Sequence, residues 1–166
     1  VRSPDFMGFV HQLNQQMLGK ALEQMLAGER YDLIHAHDWI VAFAAATLKQ
    51  SLHLPLIATI HATEFGRNGG LHNDQQRHIS DIEWWLIFEA WRVIVCSESM
   101  KGELKHVFQA PDDKVRVIPN GIDTRGLPVP RDMQLRRQYA ADDEEIVFFA
   151  GRLVFEKGVD VLLYAL

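Results

Sequence analysis

One cysteine, Cys96, stands in 166 residues, so no disulfide can close within the chain. Long apolar runs are missing too: no stretch of about 18 apolar residues offers a membrane span, and no leader-type segment appears. Basic clusters are scarce. Lys and Arg never exceed two in a row and the formal charge is −5, which gives a nucleic acid or an anionic membrane little to attract it. Internal repeats and low-complexity tracts are absent. What the chain does have is 48% hydrophobic residues, enough to bury a sizeable core in one domain, or in one domain and part of another. These features fit a reducing cytoplasm.

Apolar residues Phe9, Leu13, Met17, Ala21 and Met25 recur at helical spacing and Gly28 follows as a stop signal, predicting an amphipathic helix over residues 9–26. Short apolar runs follow at 33–34, 56–60, 93–95 and 115–118. Helical patterns separate them over 40–50, 79–90 and 99–108. Strands alternating with helices predict an α/β fold, a doubly wound parallel sheet of Rossmann-like type with right-handed crossovers. The stretch 123–145 changes character, with Gly126, Pro128, Pro130 and many charges, and reads as an interdomain linker holding a short helix near 135–139. Residues 1–122 then form the later part of a first domain, and 146–166 the first βα unit of a second. The start at Val1 without Met and the early end of that second unit lead us to expect a piece of a longer protein.

The densest chemistry lies at 148–160. An apolar run, read as a strand, meets Gly151, and Arg152 and Lys157 stand just before a new helix. Glycines let backbone approach an anion, a helix N-terminus points N–H groups at it, and two cations add full charges, an arrangement suited to a diphosphate. A surface ion pair involving Glu156 would explain the same cations at a gain of only about 0–1 kcal/mol.

This phrase, Gly151-Arg152-Leu153 with Glu156-Lys157-Gly158, resembles the loop that opens the second domain of retaining glycosyltransferases of the glycogen synthase-like family, which have the GT-B fold. Four upstream segments match the same family in the same order: His35-Ala36-His37-Asp38-Trp39, Thr59-Ile60-His61, Val95-Cys96-Ser97-Glu98-Ser99 and Ile118-Pro119-Asn120-Gly121-Ile122-Asp123. The resemblance implies transfer of a sugar, glucose first among candidates, from a nucleoside-diphosphate sugar such as ADP-glucose or UDP-glucose to a saccharide, with no metal and no further cofactor. It also implies that the isolated chain is inactive. A non-catalytic nucleotide-sugar or glycan-binding remnant, or another GT-B enzyme such as an epimerase or phosphorylase, stands as the alternative.

In open parallel sheets ligands bind at the carboxyl ends of strands, and each strand predicted over residues 33–118 ends in polar residues: His35, His37 and Asp38, then His61, Ser97 and Asn120. The resemblance gives His61 a hydrogen bond that positions the donor sugar, although a histidine satisfied by loop backbone is the simpler structural reading. Asp38 reads both as the cap of the next helix and as a sugar contact. Ser97 reads as a cap and Asn120 as part of a turn; by resemblance both border the site. Glu64 and Arg67 fall in the stretch 62–72, expected to be a flexible loop closing over the acceptor. His35 and His37, even with His72 or His78, lack the spacing of a zinc site. Trp84 and Trp85 read as one buried and one half-buried ring.

Overall fold

The computed structural model describes residues 5–126 and 132–166. The chain divides into two compact units, Val1–Asn120 and Gly121–Leu166.

The first unit is built on four parallel strands, β1 (Ile34–His37), β2 (Leu56–Ile60), β3 (Arg92–Val95) and β4 (Val115–Val117), in the order β1-β2-β3-β4. Ile34 lies beside Leu56, Ile57 beside Arg92 and Val93 beside Val115, so the strands are closely in step. Ala36, Leu56, Ala58, Ile60, Val93, Val95 and Val115 alternate along the strands onto one face and are buried. His35, His37, Ile57, Ile94 and Arg116 occupy the other, more open face.

Helices α1 (Phe6–Leu26), α2 (Ala42–Leu52), α4 (Asp74–Glu89) and α5 (Glu98–Phe108) surround this sheet, and a shorter α3 (Glu64–Asn68) follows β2. The crossover helices α4 and α5 each begin where a polar side chain satisfies backbone N–H groups that have no partner inside the helix. Asn73 accepts from Gln76 N to start α4, five residues earlier than its apolar pattern predicts, and Ser97 accepts from Met100 N to start α5. A 3-10 turn over Trp39–Val41 leads into α2, whose buried alanines, Ala42, Ala44, Ala45 and Ala46, allow close packing.

The inner stripe of α1 differs from the expected one. Val10 and Asn14 are its buried positions, and Met17 is exposed. Asn14, 4% exposed, donates to Val10 O and Ile40 O at 2.8 and 2.7 Å, and accepts from Ala44 N at 2.8 Å. An apolar pattern cannot reveal such a position, because Asn is tolerated inside only where partners on another element satisfy it.

In the second unit Asp132 caps α6 (Met133–Arg136), a few residues before the helix expected near 135–139, and Arg137 pairs with Asp142 at 2.8 Å. Pro128 and Pro130 of the expected linker lie outside the described residues. The strand expected at the start of the second βα unit does not form: residues 146–150 pair with no strand among the described residues, and Phe148 is 83% exposed. Apolar sequence alone does not hold a strand, whose N–H and C=O groups need a neighbouring ladder. The helical half does form, as α7 (Val159–Ala165) after a 3-10 turn over Phe155–Lys157. No helix among the described residues is long and apolar enough to cross a membrane.

Candidate active site

The carboxyl ends of the four strands bring His37, His61, Cys96 and Asn120 together. His37 Nδ1 lies 3.0 Å from His61 Nε2, the two rings stack with centroids 5.3 Å apart, and His61 Nδ1 faces Cys96 Sγ at 3.7 Å. The Cys96 thiol donates to Asn120 Oδ1 at 3.4 Å. One proton arrangement satisfies the whole row: His37 donates to His61, His61 to Cys96 and Cys96 to Asn120. Both ring nitrogens of His61 thus face protein groups, so a sugar that bonds the ring must displace one of them.

On the same edge His35 Nε2 meets Thr59 Oγ1 at 2.8 Å. Burial holds the His35 pKa below the usual imidazole value, and the neighbouring His37 and His61 lower it further. The neutral ring is therefore the favoured form of His35.

Asp38 does not cap the following turn. Its backbone N donates to Thr59 O at 2.9 Å and its Oδ1 accepts from His61 N at 2.8 Å. The residue has φ 58° and ψ 173°, a conformation populated almost only by glycine and costing about 1–3 kcal/mol elsewhere. The strand pairing and the His61 contact hold it there.

The segment after β2 is not an open loop. Thr63 is fully buried, caps α3 by accepting from Gly66 N, and donates to Glu103 Oε1 at 2.5 Å. Glu83 of α4, 1% exposed, lies within 2.9 and 3.1 Å of Glu64 N through its two oxygens. Burial pushes the Glu83 pKa up to about 8, its bond from Glu64 N opposes that, and the charge of Glu64 adds to it. Nothing in the residue pattern singled out Thr63, Glu83 or Glu103. A glutamate on the apolar face of a predicted helix was the one available signal.

Glu64 and Arg67 border a cleft of about 420 Å³ together with Asp38, Trp39, Asn73 and Gln76. Phe6 closes one side, its ring edge-on to Trp39 at 5.9 Å. Ser97 serves α5 as its cap, and Trp84 is exposed and stacked on Phe88 while Trp85 is half-buried against the core. His72 bonds Asn68 O, and no group of three or more His, Cys, Asp or Glu residues among those described is placed to hold a metal ion.

Gly151, Arg152 and Lys157 lie in the second unit. Arg152 pairs with Glu156 at 3.4 Å and is largely exposed, Lys157 ends the 3-10 turn, and Gly158 follows with φ 61°, a left-handed conformation that suits glycine.

A four-stranded parallel sheet with helical crossovers and polar strand ends has the Rossmann-like architecture of a GT-B N-terminal domain. The chain belongs to Glycosyltransferase Family 4, whose family model matches residues 1–125. It is 37% identical over 147 residues to an uncharacterized glycosyltransferase of Methanocaldococcus jannaschii, covering 86% of this chain and 38% of that protein. A glycogen synthase of Mycobacterium tuberculosis is 38% identical over 138 residues, with 82% of this chain and 32% of the relative covered. A D-inositol 3-phosphate glycosyltransferase of Segniliparus rotundus is 30% identical over 144 residues, 82% and 31% of the two chains. The chain thus spans about a third of the length of these relatives.

Proposed function

We propose that this chain supplies the acceptor-side half, and the opening of the donor-side half, of an enzyme that transfers a hexosyl group, glucose first among candidates, from a nucleoside-diphosphate sugar to a saccharide with retention of configuration. The observation that carries this reading is the convergence of Asp38 and His61 at the strand ends, linked by the 2.8 Å bond, in a member of Glycosyltransferase Family 4.

In this reading His61 and Asp38 orient the transferred sugar, while Glu64 and Arg67 face the acceptor. Ser97 and Asn120 border the same rim. Gly151, Arg152 and Lys157 receive the donor diphosphate. Charge builds on that leaving group as the glycosidic bond breaks, and cations fixed beside it stabilise the transition state more than the ground state. That role requires neither a divalent metal nor another cofactor. A cytoplasmic setting belongs to the same proposal, supported by the free thiol of Cys96 beside His61.

The test is to supply the full-length polypeptide carrying this sequence with UDP-glucose or ADP-glucose and a saccharide panel. Nucleoside-diphosphate release and the anomeric configuration of the product are then read by NMR. Donor-dependent formation of a retained glycoside is expected. An inverted product would refute retention, and no donor cleavage with any nucleotide sugar would refute transfer.

A further inference from the structure

We propose that the cleft beside α3 admits an uncharged polyhydroxyl acceptor and rejects its phosphorylated counterparts, with Glu64 as the selecting residue. The proposal rests on the reading of the site as a centre of glycosyl transfer and adds the class of acceptor.

The formal charges on the cleft wall balance to a net negative. Asp38 and Glu64 place two carboxylates on its wall against the single guanidinium of Arg67. Glu83, behind α3, is neutral around pH 7 because of its burial and adds a negative charge only at higher pH. In either state the balance is negative, and a phosphate placed there would meet like charges in a partly enclosed space, where they are screened less than in open solvent.

The same groups suit hydroxyls. Asp38 uses Oδ1 for His61 N, and Glu64 uses Oε1 for the Asn68 amide at 3.1 Å; each keeps a second oxygen with no bond among the described residues. Asn73 and Gln76 spend their side-chain oxygens on Gln76 N and His72 N, so each can offer its NH2 group to the cleft. A polyol can donate to the carboxylates and accept from the amides, and Phe6 and Trp39 supply an apolar edge for its C–H face. A phosphate dianion only accepts, so a carboxylate that faces it in place of a hydroxyl is left without a donor.

The experiment is an NMR titration of the protein with myo-inositol, D-inositol 3-phosphate and maltotriose, in the native sequence and in Glu64→Gln. We expect the uncharged ligands to shift the backbone signals of Glu64, Arg67 and Asn73, and the phosphorylated inositol to bind roughly tenfold more weakly than inositol itself. Glu64→Gln should close most of that gap, and added salt should narrow it in the native protein by screening the repulsion. Preference for inositol 3-phosphate, no ligand at these residues, or a gap indifferent to both Glu64→Gln and salt would overturn the proposal. Transfer by the full-length polypeptide to phosphorylated acceptors alone would sink the acceptor class and leave glycosyl transfer standing. Selective binding of neutral ligands without any donor cleavage would do the reverse.

Discussion

The carboxylate of Asp38 accepts a hydrogen bond at 2.8 Å from the backbone N–H of His61, tying the turn after β1 to the end of β2. Asp38 makes that bond from a backbone conformation, φ 58° and ψ 173°, that glycine adopts far more readily. Fold and function should therefore separate at this position. Asp38→Gly loses a charge-assisted hydrogen bond worth about 1.5–3 kcal/mol and relieves strain of about 1–3 kcal/mol, so its stability should stay close to that of the native chain. Turnover of the full-length enzyme should fall by an order of magnitude or more, because His61 loses its anchor. Denaturant unfolding and a transfer assay on the same variant check both halves, and strong destabilisation would show that the strain is not relieved.

His61 is exposed, and its ring contacts are with polar groups of the rim, not with the buried core. Replacing it by alanine should lower turnover by about 10²-fold with an intact fold, since positioning suffers more than packing. A soundly folded His61→Ala enzyme with native turnover would remove the residue from the mechanism.

The sheet and its rim were readable from the sequence because both follow local rules. Buried parallel strands appear as short apolar runs, and the polar residue after each run falls at the ligand-binding edge. His37, His61 and Asn120 were placed in this way. Asn14, Glu83 and the Thr63–Glu103 pair were not, since Asn14, Glu83 and Thr63 are polar groups buried by virtue of partners 19 to 40 positions away along the chain. The strand expected at 146–149 failed for the opposite reason: its apolar pattern was strong, but a ladder partner is not a property of the segment itself.

Gly66 sits in α3, where alanine would normally gain about 0.5–1 kcal/mol of helix stability. Here an added Cβ would lie 2.6 to 2.9 Å from the Glu103 carboxyl group, so that carboxylate would have to abandon its 2.5 Å bond from Thr63. Losing a bond to a charged group costs about 1.5–3 kcal/mol, more than the propensity gain. Gly66→Ala should therefore destabilise by about 1 kcal/mol in the native background and become neutral or stabilising once Glu103→Ala is present. Urea unfolding of the four chains in this double-mutant cycle decides it, and equal effects in both backgrounds would exclude the contact as the cause.

Arg152 and Lys157 carry the proposed diphosphate contact from outside the first unit. In the full-length enzyme each alanine substitution should weaken nucleoside-diphosphate affinity or turnover by roughly 10- to 150-fold, the equivalent of about 1.5–3 kcal/mol for a charge-assisted bond. The Arg152–Glu156 pair makes Glu156→Gln a useful control: the guanidinium stays, its competitor goes, and nucleotide affinity should hold or rise. Calorimetric titration with ADP and UDP measures all three variants, and unchanged affinity in both cation variants would show the loop to be assigned wrongly.

Glu83 gives the chain a pH dependence opposite to that of most carboxylates. Burial raises its pKa from an ordinary 4.5 to about 8 in the folded protein, so between those values the folded state holds a proton that the unfolded state has lost. Stability must then fall as pH rises, by up to about 1.4 kcal/mol per pH unit, from its full value below about pH 4.5 to a plateau above about pH 8. Glu83→Gln keeps an oxygen for Glu64 N and has no proton to lose, so it should remove this slope while other titrating groups, His35 included, contribute equally to both proteins. Unfolding free energies at pH 5.5, 6.5 and 7.5 should diverge in favour of the glutamine variant as pH increases. Parallel curves would mean that Glu83 is ionised in its buried seat, and the bond from Glu64 N and the charge of Arg67 would then have to stabilise a charge beside Glu64 and Asp38.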